Sequence, residues 1–377
     1  MSKNILITGG AGFIGTHLTR LAKAAGHSVR LLDNLSPQIH GENAAFAPPE
    51  GVEFVLGDVT VRADIERALA GIDTVVHLAA ETGTGQSMYE IDRYYRVNVQ
   101  GTAVLLDILA NTKTEVRNIV LASSRSVYGE GAYVCHDCEP SGQRCFPNSR
   151  LPADLAAHDW TPKCPRCGAG IAETATREDD KLSPASIYAA TKLAQEEMIR
   201  IAATSQGLAY AILRFQNVYG EGQSLQNPYT GILSIFSTRL RLGLSLPVFE
   251  DGEETRDFVH VEDVANAVLR FVEKPALSGA LANVGYGEPT SIMEVATLLA
   301  QLMGSETKPH VTAQYRVGDI RHNFADLAAL EAATGFRPAI SLEEGLGRFC
   351  AWVETQPIPQ DMLDKANAEL KARNLMG

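Results

Sequence analysis

Tyr188 and Lys192 stand four residues apart in the run Ser186-Ile187-Tyr188-Ala189-Ala190-Thr191-Lys192, a spacing that puts both side chains on one face of a helix. An unperturbed tyrosine ionises near pH 10 and is a poor base at neutral pH. A neighbouring ammonium and a positive nicotinamide ring both favour the phenolate, which suits the pair to take a hydroxyl proton while hydride leaves the same carbon. Ser124 ends a predicted strand and can donate a hydrogen bond to the same substrate oxygen, because open α/β sheets bind ligands at their carboxyl ends. Tyr-x-x-x-Lys pairs are common on solvated helix faces, so the weight of this one comes from a second motif. Gly9-Gly10-Ala11-Gly12-Phe13-Ile14-Gly15 follows an apolar strand and opens a helix. Glycines there let the backbone approach a pyrophosphate, and the helix N-terminus offers it free N–H groups. Asp33 ends the next strand, 18 residues beyond Gly15. A carboxylate there accepts from both hydroxyls of an adenosine ribose and repels a 2′-phosphate. Asn34 and Leu35 add no cation, which favours NAD over NADP.

A third group of residues suits a metal. Of six cysteines, five fall between Cys135 and Cys167. Cys135-x-x-Cys138 and Cys164-x-x-Cys167 have the two-knuckle spacing of a zinc ribbon. Four thiolates complete a tetrahedron with no open position, so the expected metal is structural zinc. Cys145, His136 and His158 are substitute ligands, and their reading as surface residues is preferred. The N-terminus lacks a long apolar stretch, and no apolar run approaches the roughly 20 residues that span a bilayer. A cytoplasmic protein with reduced thiols is expected, free of membrane contacts.

These residues need elements to hold them. The 377-residue chain is 45% hydrophobic and carries 33 Lys+Arg against 45 Asp+Glu, a net charge of −12 that argues against nucleic acid as a partner. Strands are predicted at Lys3–Thr8, His27–Asp33, Val52–Leu56, Thr74–Leu78, Asn118–Ser123 and Ala209–Phe215. Helices are predicted at Phe13–Ala25, Arg62–Ala70, Tyr89–Leu109 and Tyr188–Ser205. The alternation predicts an α/β fold with a Rossmann-type, doubly wound parallel sheet. Residues 1–215 form the dinucleotide domain, interrupted by a Cys-rich insert over 131–178. Residues 216–355 are less regular and read as a smaller C-terminal substrate domain, with 256–275 returning to the main sheet. Residues 356–377 form a polar helical tail with a solvated charged face.

TGGAGFIG, Asp58-Val59, His77-Leu78-Ala79-Ala80, SSRSVYG, YAATK and RDFVHVEDV resemble the extended short-chain dehydrogenase/reductase family, and within it the nucleoside-diphosphate-sugar epimerases and dehydratases. The resemblance implies tightly bound NAD at Gly9, Gly12, Phe13, Ile14, Gly15, Asp33, Asn34, Asp58, Val59, Leu78, Ala79 and Ala80, with Tyr188 and Lys192. It implies an active triad of Ser124, Tyr188 and Lys192. Asn217, Phe249, Arg256 and Arg316 would join Ser124 in holding a nucleoside-diphosphate sugar. It also suggests a homodimer through the helices Tyr89–Leu109 and Tyr188–Ser205. Dehydratases and decarboxylases of the family carry acidic residues just after the active Ser or Thr, where this chain has Arg125-Ser126. The expected reaction is therefore 4-epimerisation. The cysteine insert, with QSMYE, VYGEGAY, NPYTGI and YRVGDIRHNFAD, is similar to the branch that converts dTDP-L-rhamnose to dTDP-6-deoxy-L-talose. UDP-glucose or UDP-N-acetylglucosamine 4-epimerase is the close alternative. A 4-ketosugar reductase is a rival, as is a non-catalytic NAD sensor. Asp33 argues against the NADPH such a reductase prefers, and retention of Tyr188 and Lys192 argues against a sensor.

Overall fold

The computed structural model describes residues 2–42, 44–138, 143–225, 227 and 231–377. Residues 228–230 of the NPYTGI motif lie outside the described residues. Seven parallel strands form the central sheet: β1 Asn4–Thr8, β2 Ser28–Asp33, β3 Val52–Leu56, β4 Thr74–His77, β5 Asn118–Ser124, β6 Ala209–Phe215 and β7 Ala280–Val284. Their order is β7-β6-β5-β4-β1-β2-β3, so the winding reverses between β1 and β4. A crevice opens at such a reversal, beyond the carboxyl ends of the strands. The strands are nearly continuous apolar runs because helices cover both faces. On one face lie α1 Phe13–Ala24 and α5 Val261–Glu273, through Leu18, Ala22, Val264, Val268 and Phe271. On the other lie α2 Arg62–Leu69, α3 Gly101–Asn111 and α4 Ile187–Gln206, through Ile65, Leu69, Leu105, Ile108 and Ile199.

Two segments depart from the sequence expectation. Ala280–Val284, expected within the substrate domain, is the seventh strand and pairs with β6 in the register Val284 to Phe215. Its five residues are too short to stand out by periodicity, and the pairing that fixes them is distant in sequence. The helix expected over Tyr89–Leu109 is divided into Ile91–Tyr94, a wider π-type segment Tyr95–Gln100, and α3. Asn98 in that segment accepts from the Glu81 N–H at 2.8 Å and donates to Glu81 O at 3.1 Å and Thr191 Oγ1 at 2.9 Å. Widened turns of this kind occur where a side chain is drawn toward a site.

A second lobe packs the helices Ile232–Arg241, Ile292–Leu302 and Leu342–Glu354 around Phe236, Val248, Leu299, Leu346 and Phe349. The insert contains a small antiparallel sheet, with Tyr133–Val134 between Arg144–Cys145 and Ala172–Glu173. It is tied to the second lobe by buried ions. Arg150 lies 3.3 Å from Glu130 and 2.7 Å from Glu250, which Arg321 also meets at 3.0 Å. The tail helix Leu363–Lys371 buries Leu363, Ala366 and Leu370, so only one of its faces is solvated. Beyond it, the backbone of Tyr315 exchanges two hydrogen bonds with Gly377, both at 3.0 Å. No helix among the described residues is long and apolar enough to cross a membrane.

Candidate active site

A cavity of about 710 Å³ runs from the Gly9–Gly15 turn, past the ends of β4 and β5, into the second lobe. At its first end, α1 starts at Phe13 with no side chain capping its N-terminus, which leaves its first N–H groups to an anion. Gly9 has φ +70°, and a Cβ there would come within 2.9 Å of the Ala79 backbone across the β1–β4 reversal. A Cβ on Gly15 would meet Gly10 Cα at 2.7 Å, so that glycine lets helix and turn close up. Gly12, Phe13, Ile14, Asn34, Val59, Leu78, Ala79 and Ala80 also line this end. Asp58 does not line it. Its carboxylate stands behind, accepting from Asn34 at 2.9 Å; burial raises its pKa, but hydrogen bonds from Thr60 and Asn34 leave it below the ordinary value. Asp33 lines the cavity and orders the turn, accepting from the Ala11 N–H at 3.1 Å and the Leu35 N–H at 2.9 Å. His40 Nε2 stands 3.7 Å away, a conditional cation that the adjacent sequence does not reveal. A charged hydrogen-bond partner contributes about 1.5–3 kcal/mol. Asp33→Ala should therefore weaken NAD binding by about 10- to 100-fold and narrow its advantage over NADP, read by titrating the cofactor-stripped protein with each dinucleotide. An unchanged preference would remove Asp33 from the ribose site.

At the centre stand Ser124, Tyr188 and Lys192. Ser186 caps α4 by accepting from the Ala189 N–H at 3.1 Å, and Gly207 at φ +68° closes it. The helix packs against β5, which ends at Ser124. Tyr188 N–H donates to Ser87 Oγ at 3.1 Å, and its ring meets Tyr94 edge-on with centroids 6.4 Å apart. Burial raises the Tyr188 phenol, while a hydrogen bond with Ser124 and the charge of Arg125 pull it down. From sequence, Lys192 is the cation expected to act on the phenol. In the structure its Nζ donates to Ala122 O at 3.0 Å. Burial lowers the Lys192 ammonium to about 8, opposed by Glu196. Glu196 in turn accepts from Ser123 and receives a two-pronged contact from Arg214, at 2.9 and 2.7 Å. Arg214 also donates to Tyr128 Oη at 2.8 Å, and Tyr128 donates to Asn283 at 2.7 Å. Apart from Asn283, which ends up beside them on β7, this buried chain of polar groups lies along β5, its following turn, α4 and β6.

The far end holds the expected substrate residues Asn217, Phe249, Arg256 and Arg316. Arg256 donates to Thr255 O at 2.8 Å, Arg321 O at 3.0 Å, Ile320 O at 2.8 Å and Asp319 at 3.0 Å. Arg316 lies over the Phe249 ring at 4.8 Å and donates to Asn367 of the tail at 3.3 Å, with its Nε lacking a partner among the described residues. Asn217 Oδ1 is likewise buried without a partner there. Arg256 thus offers charge from a fixed frame, and Arg316 offers both charge and a free donor. Sequence reasoning used Arg125 only to argue against dehydration and passed over Glu254; both line the same cavity. Burial raises the Glu254 carboxyl to about 7. Each adjoins a named motif, and that adjacency was the available signal.

The four sulfurs of Cys135, Cys138, Cys164 and Cys167 lie within 4.8 Å of one another. Two of their separations are 3.7 and 3.8 Å. A tetrahedron with metal–sulfur bonds of 2.3 Å has edges of about 3.8 Å, which those two separations match, so the donor set suits zinc. The N–H groups of Arg166 and Cys167 lower the Cys164 thiol to about 6, while hydrogen bonds among the four cysteines raise that of Cys138. Cys145, His136 and His158 are outside this group; Cys145 is buried beside it, and His158 stacks on Trp160 with ring centroids 5.3 Å apart.

Comparison with known proteins agrees with this geometry. The model of the NAD dependent epimerase/dehydratase family matches residues 5–150 and 164–285. A dTDP-L-rhamnose 4-epimerase of Burkholderia thailandensis is 41% identical over 93% of this chain and 95% of its own length. Among solved structures, the UDP-glucose 4-epimerase of Thermotoga maritima with UDP-glucose is 28% identical with a TM-score of 0.74, covering 93% of this chain and 98% of that one. The UDP-glucose 4-epimerase of Thermus thermophilus, solved with NAD, is 26% identical with a TM-score of 0.70, covering 94% and 100%. The family model skips residues 151–163 within the cysteine insert, resumes at its second pair of cysteines, and ends at 285, after the last strand of the central sheet. A family match over most of the chain, with a 41% identical relative covered along nearly its whole length, has one consequence: the chain belongs to the NAD dependent epimerase/dehydratase family.

Proposed function

We propose that this protein is an NAD-dependent nucleoside-diphosphate-sugar 4-epimerase, and that its substrate is dTDP-L-rhamnose, converted to dTDP-6-deoxy-L-talose. The observation that carries the reaction class is the single cavity joining the dinucleotide turn, the Ser124–Tyr188–Lys192 group and the arginines of the second lobe. The sugar assignment draws on the 41% identical relative. NAD, held along Gly9–Gly15 and Asp33, supplies the reversible uptake of hydride at C4. Tyr188 takes the proton of the C4 hydroxyl and gives it back, Ser124 donates to the same oxygen, and Lys192 holds the ribose side of the site. Arg316 and Arg256 grip the diphosphate, Arg being suited to a planar two-pronged contact, so that the hexose can turn between its two faces. Loss of water would need an acid and a base just past Ser124, where Arg125 and Ser126 stand. A reductase that releases its cofactor each cycle is less well served by Asp33.

The experiment is incubation with dTDP-L-rhamnose, UDP-glucose and UDP-N-acetylglucosamine, followed by NMR for new 4-epimers. The expected result is fastest conversion of dTDP-L-rhamnose. Faster conversion of a UDP-sugar would replace the sugar assignment, and no epimer from any sugar nucleotide would reject the class.

We also propose a structural zinc in the insert, a cytoplasmic setting in which its thiols stay reduced, and a homodimer. The dimer would form through α3 and α4, beside which Ile91, Tyr95 and Ile201 are exposed. A metal assay should return about one zinc per chain. Its removal should loosen the insert and, through Arg150 and Glu250, the second lobe. Well under one equivalent with all thiols intact would sink the zinc proposal.

A further inference from the structure

The tail helix Leu363–Lys371 joins the two lobes beside the cavity. Ahead of it, Asp361 accepts from Arg239 of the second lobe at 2.5 Å and from the Leu363 N–H at 3.1 Å, and Leu363 lines the cavity. Further along, Leu370 packs on Gly85 of the nucleotide domain, where a Cβ would stand 3.5 Å from Leu370 Cδ2. Glu369 accepts from Tyr89 Oη at 3.1 Å, and Arg373 lies over the Tyr89 ring at 4.2 Å. Gly85 and Tyr89 flank Ser87, the residue that accepts from the Tyr188 N–H. Past the helix the chain returns to the second lobe. There the Val317 N–H donates to Leu375 O at 3.0 Å, and Arg316 pairs with Met376 in an antiparallel bridge. The helix is thus pinned to the segment beside the reaction centre and to the segment that carries Arg316.

Asn367 occupies the middle of this pinned helix. The Arg316 guanidinium donates to its side-chain oxygen at 3.3 Å and lies over the Phe249 ring at 4.8 Å. An arginine side chain has several rotatable bonds, and a ligand that must freeze them loses affinity. Phe249 and Asn367 together hold Arg316 beforehand, and its buried Nε is left without a partner among the described residues. Asn367 is neutral, so it orients the guanidinium without cancelling the charge that an anion needs. A carboxylate in its place would compete with the diphosphate for the same cation.

We propose that Asn367 is a positioning residue for substrate: carried on the tail helix, it presets Arg316 for the diphosphate of the sugar nucleotide. Asn367 stands outside the cavity lining and acts through Arg316, which is part of it. The assignment rests on Arg316 being a diphosphate anchor. It gives the tail a task in binding, because the same helix fixes where Arg316 stands relative to the segment that holds Tyr188.

The test measures binding of dTDP and of UDP to the NAD-loaded protein by calorimetry, which needs no turnover. Asn367→Ala and Asn367→Leu both remove the acceptor, and the second keeps much of the volume. Each should weaken binding of the tighter nucleotide by about 3- to 10-fold. Arg316→Ala should weaken it by more. Adding Asn367→Ala to Arg316→Ala should then cost no more than a further factor of about two, because both changes act through one guanidinium. With a sugar nucleotide that turns over, KM should rise by the same factor while kcat stays within about twofold of the parent, since the proton-transfer groups are untouched. Thermal melting identifies which variants are folded, and one folded acceptor-free variant is enough. Unchanged affinity in that variant, or the full Asn367 loss repeated on top of Arg316→Ala, would overturn the proposal and leave the diphosphate anchor standing. A parent that binds neither dTDP nor UDP, or an Arg316→Ala variant that binds as the parent does, would remove the anchor itself and this proposal with it.

Discussion

Tyr188→Phe should lower kcat for C4 epimer exchange by about 10²- to 10⁴-fold, the range that a positioned proton-transfer group contributes. The change removes one hydroxyl and leaves the ring, whose edge-on packing with Tyr94 and whose backbone bond to Ser87 are unaffected. NAD content and thermal stability should therefore remain close to those of the parent. Turnover measured with saturating sugar nucleotide, beside an assay of bound NAD, separates these effects. A variant with kcat within a factor of about three of the parent would take Tyr188 out of the mechanism.

Arg214→Met should produce the largest loss of stability of any single change near the site. Arg214 is 2% exposed and sits between Glu196 and Tyr128, with a further bond to Glu178 O at 3.0 Å. Taking away one partner of a buried pair leaves the other charge unsolvated, at a cost of about 3–5 kcal/mol. Here the stranded charge would be Glu196, the carboxylate that opposes the lowering of Lys192. Replacing Glu196 by Gln in the same protein should recover part of the loss, because the buried carboxylate goes with it. Urea unfolding of the two single variants and the double variant checks this. A loss below about 1 kcal/mol in Arg214→Met would mean that the network is not holding α4 against β6.

Much of this site could be read from sequence because its parts are local. The glycine turn, Asp33 and the Tyr188–Lys192 spacing each lie within one strand–turn–helix unit, and β3 and β6 begin and end where their apolar runs do. The remainder depends on contacts between distant segments. Arg214 is a lone charge in AYAILRF, and nothing in that run shows that Glu196 and Tyr128 will meet it. Ala280–Val284 becomes a strand because β6 presents a free edge. The π-type segment at Tyr95–Gln100 exists because Asn98 is held by Glu81 and Thr191, from two other parts of the chain. The tail looked like a solvated helix because charged residues recur through DMLDKANAELKARN. Leu363 and Leu370 nonetheless bury one face, and Asn367 reaches Arg316.

On the proposed mechanism, hydrogen leaves and returns to the same carbon inside one cavity. The most direct test is to supply the sugar nucleotide that turns over with deuterium at C4, in protonated water and without added NAD, and to follow both epimers by NMR. Deuterium should stay at C4 in substrate and product alike, with no sugar or reduced cofactor accumulating in a changed oxidation state. Loss of the label to solvent, or net accumulation of a 4-keto sugar, would contradict it.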